Sequence, residues 1–273
     1  MAKRHHRRSD RGREQGSRRG GRRASAGQNR AGGWLYGLHA VAAALANPDR
    51  RCRRLVVAAQ SRDEISARLN EALRVGGHEI RADILDRREL DDLLPPGAVH
   101  QGTGLLAEPL PDLALEDAVA SANGAPLVVL DQATDPRNVG AVLRSAAAFG
   151  VRALVVQDRH APPITGALAK AASGALERVP IVQVTNIARA LDTLREAGYW
   201  ITGLDGRGET PLPSADLAGP NALVLGAEGR GLRRLVAERC DLLARIPISE
   251  SVESLNLSNA AAIALYELAR KNT

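Results

Sequence analysis

The chain has 273 residues, 44% of them hydrophobic and 25% charged, enough for two ordinary domains with apolar cores. No apolar run approaches the roughly 18 residues of a membrane-spanning helix, and the basic start leads into no apolar stretch of the kind a secretory leader needs. Cys52 and Cys240 lack metal-ligand spacing, so no metal and a cytoplasmic, reducing setting are expected.

The formal net charge of +6 is unevenly spread. Residues 1–33 hold Lys3 and ten arginines against Asp10 and Glu14, and the remainder is slightly acidic. This Arg/Gly/Ser-rich tail is expected to be disordered. Such an arm binds polyanions through counterion release, and nucleic acid is the favoured partner over a plain solubility role.

Order is expected from Trp34. A helix over Gly37–Ala46, a strand over Leu55–Ala59 and an amphipathic helix over Asp63–Val75, stopped by Gly76-Gly77, come first. A strand over Glu79–Leu85, a helix over Arg88–Leu94 ended by Pro95-Pro96, and a strand near Gly104–Ala107 complete a small α/β domain, residues 34–107. Glu108–Pro111, with two prolines, reads as a linker spanning residues 108–112. Residues 113–273 then alternate. Strands are expected at Leu127–Leu130, Ala153–Val156, Pro180–Val184, Trp200–Leu204, Ala222–Leu225 and Ala244–Ile248. Helices fit at Val139–Phe149, Ile164–Leu176, Ile187–Ala197, Gly231–Cys240 and Leu257–Arg270. Near-continuous apolar strands between helices predict a mostly parallel sheet covered on both faces.

Three segments follow apolar runs and carry polar or glycine-rich residues. In an α/β sheet, ligands bind at such strand ends. The first is Asp131-Gln132-Ala133-Thr134-Asp135-Pro136-Arg137-Asn138, continuing to Arg144. Asn138 suits a helix N-cap there, or could offer its amide to a ligand. If the first turn is already helical, Arg137, Gly140 and Arg144 share a face, and Gly140 would leave the space above Arg144 open. The second is Leu225-Gly226-Ala227-Glu228-Gly229-Arg230-Gly231, whose glycines allow close backbone approach to a ligand. It matches neither a dinucleotide fingerprint nor a phosphate-binding P-loop. The third runs from Ile246-Pro247-Ile248 to Ser254-Leu255-Asn256-Leu257-Ser258-Asn259. Capping accounts for one or two of its four polar residues, not all.

These segments resemble, in order, the three motifs of the SpoU (TrmH-like) RNA ribose 2′-O-methyltransferases of the SPOUT superfamily, over Leu127–Arg270. Trp34-Leu35-Tyr36-Gly37-Leu38-His39-Ala40-Val41 and His100-Gln101-Gly102 resemble the ribosomal-protein-L30e-like substrate domain of the 23S rRNA guanosine 2′-O-methyltransferase subfamily. The resemblance implies a C-terminal α/β knot of trefoil type, a homodimer and S-adenosylmethionine as cofactor. Carried over by motif, the cofactor contacts would be Leu225, Gly226, Ile246, Ile248, Leu255 and Leu257. The catalytic set would be Asn138, Arg144, Glu228, Ser254 and Asn256. The implied reaction is 2′-O-methylation of a ribose, with a 23S rRNA guanosine as target. The same chemistry on tRNA or another rRNA nucleotide, and a non-catalytic role in ribosome assembly, are the alternatives. Only six aromatic residues exist, so base stacking cannot dominate RNA recognition.

Overall fold

In the seven-stranded sheet at the centre of the protein, successive side chains serve two different cores. The computed structural model describes residues 33–227 and 229–272. The basic tail, apart from Gly33, and Glu228 lie outside the described residues.

The chain starts with β1 (Gly33–Tyr36), α1 (Leu38–Ala46), β2 (Cys52–Ala58), α2 (Arg62–Gly76), β3 (Ala82–Leu85), α3 (Arg87–Leu93) and β4 (Thr103–Ala107). Their sheet has the order β1-β4-β2-β3, antiparallel except for β2 and β3. The strand β1 was not legible as one in the sequence: it is four residues long, too short for a period to register. Asp86 caps α3 in a reciprocal capping box with Glu89.

After residues 108–114, which form no helix or strand, come α4 (Leu115–Ala120), β5 (Leu127–Asp131), α5 (Pro136–Ala148), β6 (Ala153–Gln157), α6 (Gly166–Ala172), β7 (Ile181–Val184) and α7 (Ile187–Glu196). The chain ends with β8 (Trp200–Leu204), β9 (Thr210–Pro211), β10 (Asn221–Gly226), α8 (Arg234–Ala237), β11 (Leu242–Arg245) and α9 (Leu257–Lys271). Strand order is β7-β6-β5-β10-β8-β11-β9, and every pairing is parallel. Val128, Leu130, Leu154, Val156, Leu223 and Leu225 pack against α5, α6 and α9. Their neighbours Leu127, Val129, Ala153, Val155, Ala222 and Val224 pack against α4, α7 and α8. Period-two alternation with both faces apolar is what a doubly covered parallel sheet requires.

Several expected helices and strands are shorter than their apolar pattern, each for a local reason. The helix expected over Ile164–Leu176 stops where Ser173 and Gly174 turn left-handed, and a 3₁₀ turn over Ala175–Glu177 follows. The one expected over Gly231–Cys240 shrinks to α8, because Gly231 has φ +65° and Arg233 is extended. The strand expected over Ala244–Ile248 ends at Arg245, two residues before a proline that cannot donate to a ladder. α4 went unread, being only six residues long.

Two readings of the first segment need correction. Asn138 does not cap α5: Asp135 does, accepting from the backbone N–H of Arg137 at 2.8 Å, with Pro136 in the first turn. Asn138 lies one turn in, so its side chain is released from capping. Gly140 leaves no open space. A Cβ there would lie 2.5 Å from the carbonyl oxygen of Leu168 and 2.7 Å from Cβ of Ala171, so the glycine lets α6 sit directly on α5.

The small domain is not a separate bead. Leu35, Ala40, Leu45 and Leu105 belong to the same apolar cluster as Val139, Leu143, Leu168 and Leu176. Gly166, at the start of α6, touches the Tyr36 ring and the Trp34 carbonyl, where a Cβ would have no room.

Candidate active site

From β5 the chain steps outward through β6 to β7, then returns so that β8, β10 and β11 lie on the other side. The order therefore reverses between β5 and β10, and the carboxyl ends of parallel strands around such a reversal form a crevice. A cavity of about 500 Å³ opens beside that reversal, over the ends of β10, β8 and β11, within the range of about 300–1,000 Å³ usual for small-molecule sites. All six residues expected to contact a cofactor line it: Leu225 and Gly226 from the end of β10, Ile246 and Ile248 beyond β11, and Leu255 and Leu257 before and at the start of α9.

The walls are mostly aliphatic side chains and backbone. Gly226 is pressed against the Gly231 carbonyl and the Leu232 nitrogen, leaving no room for a Cβ. Gly229 and Gly231 adopt φ +74° and +65°. The Gly231 N–H donates to the Ala227 carbonyl at 3.0 Å, closing the loop into a tight turn. A wall of this kind holds a ligand by shape and backbone groups, while Asp205, Arg207, Arg230, Glu253 and Ser254 on the lining offer partners to its polar and charged parts.

Beside the cavity lies a polar edge. Asn256 caps α9, its Oδ1 accepting from the Ser258 N–H at 2.9 Å and the Ser258 hydroxyl at 2.6 Å. Its Nδ2 donates to Oδ1 of Asn138 at 3.1 Å. The first and third segments, 118 residues apart, are thus joined at the cavity rim. Ser254 lines the cavity and is exposed, and Asn259 faces solvent. Arg137 and Arg144 are exposed on the ridge of α5. Arg144 makes no hydrogen bond or ion pair with any described residue, so its guanidinium is free to meet an anion. Glu228 falls in the loop between Ala227 and Gly229, outside the described residues.

A family model described as the SpoU rRNA methylase family matches residues 125–266, and another, described as RNA 2′-O ribose methyltransferase substrate binding, matches residues 34–113. The chain belongs to the SpoU rRNA methylase family. A 23S rRNA (guanosine-2′-O-)-methyltransferase, RlmB, of Pseudomonas aeruginosa is 41% identical over 88% of this chain and 96% of its own. RlmB of Vibrio parahaemolyticus is 41% identical over 87% and 96%. The crystal structure of the SpoU methyltransferase AviRb from Streptomyces viridochromogenes in complex with the cofactor AdoMet superposes with a TM-score of 0.71, at 26% identity over 88% of this chain and 90% of that one.

Two aspartates at strand ends, outside the candidate set read from the sequence, organise the loops around the cavity. Asp131, whose side chain is fully buried at the end of β5, accepts from the Arg233 backbone N–H at 3.0 Å and from its Nε at 2.8 Å. Arg233 also reaches Oε1 of Gln157 at 3.0 Å. This bolts the loop after β10 to the ends of β5 and β6. Asp205, after β8, lines the cavity and takes Arg207 in a fork, Nε at 2.9 Å and Nη2 at 2.8 Å. The Arg207 side chain, with backbone N–H donors of Arg207 and Leu232, holds the Asp205 carboxyl below the usual aspartate range despite its burial. Its signal was present in the sequence: Leu204-Asp205-Gly206-Arg207-Gly208 repeats the strand-end, glycine-rich pattern of the other segments.

Neither cysteine is poised for nucleophilic chemistry. Burial pushes the thiol of Cys240 up to about 12 and that of Cys52 up to about 11, so both stay neutral. Among the described residues no cluster of His, Cys, Asp and Glu could hold a metal ion, and no helix is long and apolar enough to cross a membrane.

Proposed function

We propose that this chain methylates the 2′-hydroxyl of a ribose in RNA, that of a guanosine in 23S rRNA, from S-adenosylmethionine. The observation that carries the reading is the Asn256–Asn138 hydrogen bond at the rim of the cavity, which puts a polar edge next to an aliphatic, backbone-walled pocket. Identity of about 41% to RlmB over most of the chain supports the substrate.

Leu225, Gly226, Ile246, Ile248, Leu255 and Leu257 would hold S-adenosylmethionine, which would supply an electrophilic methyl group. The protein's own task is to present the acceptor hydroxyl and manage its proton. Asn138 and Asn256 orient the target nucleotide, with Ser254 beside them. Arg144 clamps the phosphate flanking the target ribose and stabilises the alkoxide character that develops on its oxygen. A guanidinium is a poor base near neutral pH, so Arg144 is assigned electrostatics rather than proton removal. Glu228 accepts the proton or fixes Arg144.

The same reading includes the family's knot, a homodimer and action in the cytoplasm. β11 lies between β8 and β9, and the chain then returns so that α9 packs against α5 and β10, a path that accords with threading. Ile263 and Tyr266 are exposed on α9, with Phe149, just after α5, edge-on to Tyr266 at 6.3 Å between ring centres. An apolar strip of this kind suits a second copy. Sedimentation of the full chain is expected to give a dimer.

The deciding experiment is transfer of labelled methyl groups to bulk tRNA, 16S and 23S rRNA from cells lacking the protein, followed by nucleoside mass analysis. 2′-O-methylguanosine in 23S rRNA alone is expected. Label in tRNA would keep the chemistry and replace the substrate. Cofactor binding without transfer to any RNA would favour an assembly role.

A further inference from the structure

The run Arg50-Arg51-Cys52-Arg53-Arg54 reads as a solvated basic patch, yet its first arginine is buried to 4% exposure. The Arg50 guanidinium faces Glu177 in the 3₁₀ turn after α6, itself 6% exposed at the side chain. Nη2 donates to Oε1 at 2.7 Å and Nε to Oε2 at 3.2 Å. Asn47 adds a third donor, Nδ2 to Oε2 at 2.7 Å. The remaining arm of the fork, Nη1, donates to the Glu108 carbonyl at 2.9 Å, where the chain leaves the first domain. One guanidinium therefore pins both the covalent connection between the domains and their non-covalent contact.

Burying such a pair is a poor way to gain stability, since desolvation consumes most of the attraction and an apolar contact would serve as well. A fork on a carboxylate does what an apolar contact does not: it fixes one relative orientation. Its surroundings are equally tight. Gly174, at φ +92°, has space for no side chain against Ala43, whose Cβ would lie 2.8 Å away. Lys170 of α6 donates to the Val99 carbonyl of the small domain. Tyr36 of the small domain packs its ring against Gly166 at the start of α6, leaving no room there for a Cβ. The first domain is thus tied at one end to Glu177 and packs at the other on α6, which in turn sits directly on α5, the helix that carries Asn138 and Arg144.

We propose that the Arg50–Glu177 fork makes the two domains a rigid ruler, so that the place where RNA rests on the first domain determines which ribose arrives beside Asn138 and Arg144. Arg50 and Glu177 are positioning residues, acting through the orientation of the substrate-binding domain. The inference rests on the RNA methylation proposed above.

Two variants test it in the full-length protein, Glu177→Gln, which keeps shape and loses charge, and Arg50→Lys, which keeps charge and loses the fork. Scanning calorimetry needs no RNA. A single unfolding transition is expected for the natural protein and two for the variants as the domains uncouple. One transition in all three would overturn the rigid coupling. Calorimetric titration with S-adenosylhomocysteine is expected to give unchanged affinity, which certifies a folded cavity. Against 23S rRNA, KM is expected to rise at least tenfold with kcat changed less, and methylation mapping is expected to find neighbouring riboses modified. Unchanged KM with a single unchanged methylated nucleotide would overturn the ruler. A natural protein that methylates no RNA would defeat the function proposed above, and the ruler with it, while calorimetry would still decide the coupling.

Discussion

The cavity and the polar edge share a rim but are built by opposite means. The cavity is made by Leu225, Gly226, Ile246, Leu255 and Leu257, where what counts is backbone path and the room left by missing side chains. The edge is made by the Asn138–Asn256 pair, with Arg144 exposed further along α5, and there what counts is a functional group at one point. On the proposed roles, binding a cofactor by shape and acting on RNA by charge are separable in this molecule. Substitutions at the edge should alter turnover and spare cofactor affinity, while substitutions in the wall should do the reverse.

The largest separation is expected from Arg144→Lys. The lysine keeps the positive charge and loses the planar fork, so kcat should fall about 10²–10³-fold, the range for losing one group that meets developing charge. Cofactor affinity by calorimetry should stay within twofold. Wild-type-like turnover would mean that Arg144 is no clamp, and a parallel loss of cofactor affinity would mean that edge and cavity are one unit.

The reverse case is Gly226→Ala. The new methyl group meets the Gly231 carbonyl and the Leu232 backbone nitrogen, neither of which can turn aside as a flexible side chain could. Overpacking of this sort costs about 1–3 kcal/mol. Relieving that strain by moving the 227–231 wall away from its cofactor-binding shape should lower cofactor affinity ~10–100-fold, at about 1.4 kcal/mol per decade. Full affinity in the variant would show that the 227–231 loop yields freely.

The sequence disclosed the two regions unequally, and for physical reasons. The β8 boundaries, Trp200–Leu204, follow directly from the apolar run, while the six cavity residues come from the motif resemblance: Leu225 and Gly226 end β10, Leu257 starts α9, and Ile246, Ile248 and Leu255 lie in the connection between β11 and α9. The edge depends on side-chain pairings across 118 residues of chain, which no period encodes. Asn138 illustrates it: its type suited a cap, but Asp135 followed by Pro136 is the stronger start signal and took that role. Arg50 is the converse. Among four neighbouring arginines nothing local marks the buried one, because its burial depends on Glu177 in the other domain.

Asn256 belongs to both regions, since it caps α9 and bonds Asn138. Asn256→Ala should lower stability by about 1 kcal/mol, the usual value of an N-cap. Asn256→Asp keeps the cap acceptors and loses the donor to Asn138. Turnover should fall in both variants, and the melting temperature only in the alanine one. Equal melting temperatures for the two variants would assign the residue no capping energy.

The smallest effect expected concerns Asp205, which shapes the cavity from β8 without belonging to the edge. Its carboxyl is held below the usual range by Arg207 and by backbone donors, so folding favours the ionised form. That contribution is complete above the unfolded aspartate value of roughly 3.9 and is lost as the pH falls through the lower folded value. Because Arg207 is 78% exposed, solvent screening keeps that contribution small. Asp205→Asn should therefore melt a few degrees lower than the natural protein at pH 7, and the gap should close below about pH 4. Melting curves from pH 2 to 8 decide it. A gap that persists at pH 2 would mean that Asp205 holds the cavity by shape, in which case the wall owes nothing to charge and the contrast with the edge becomes sharper still.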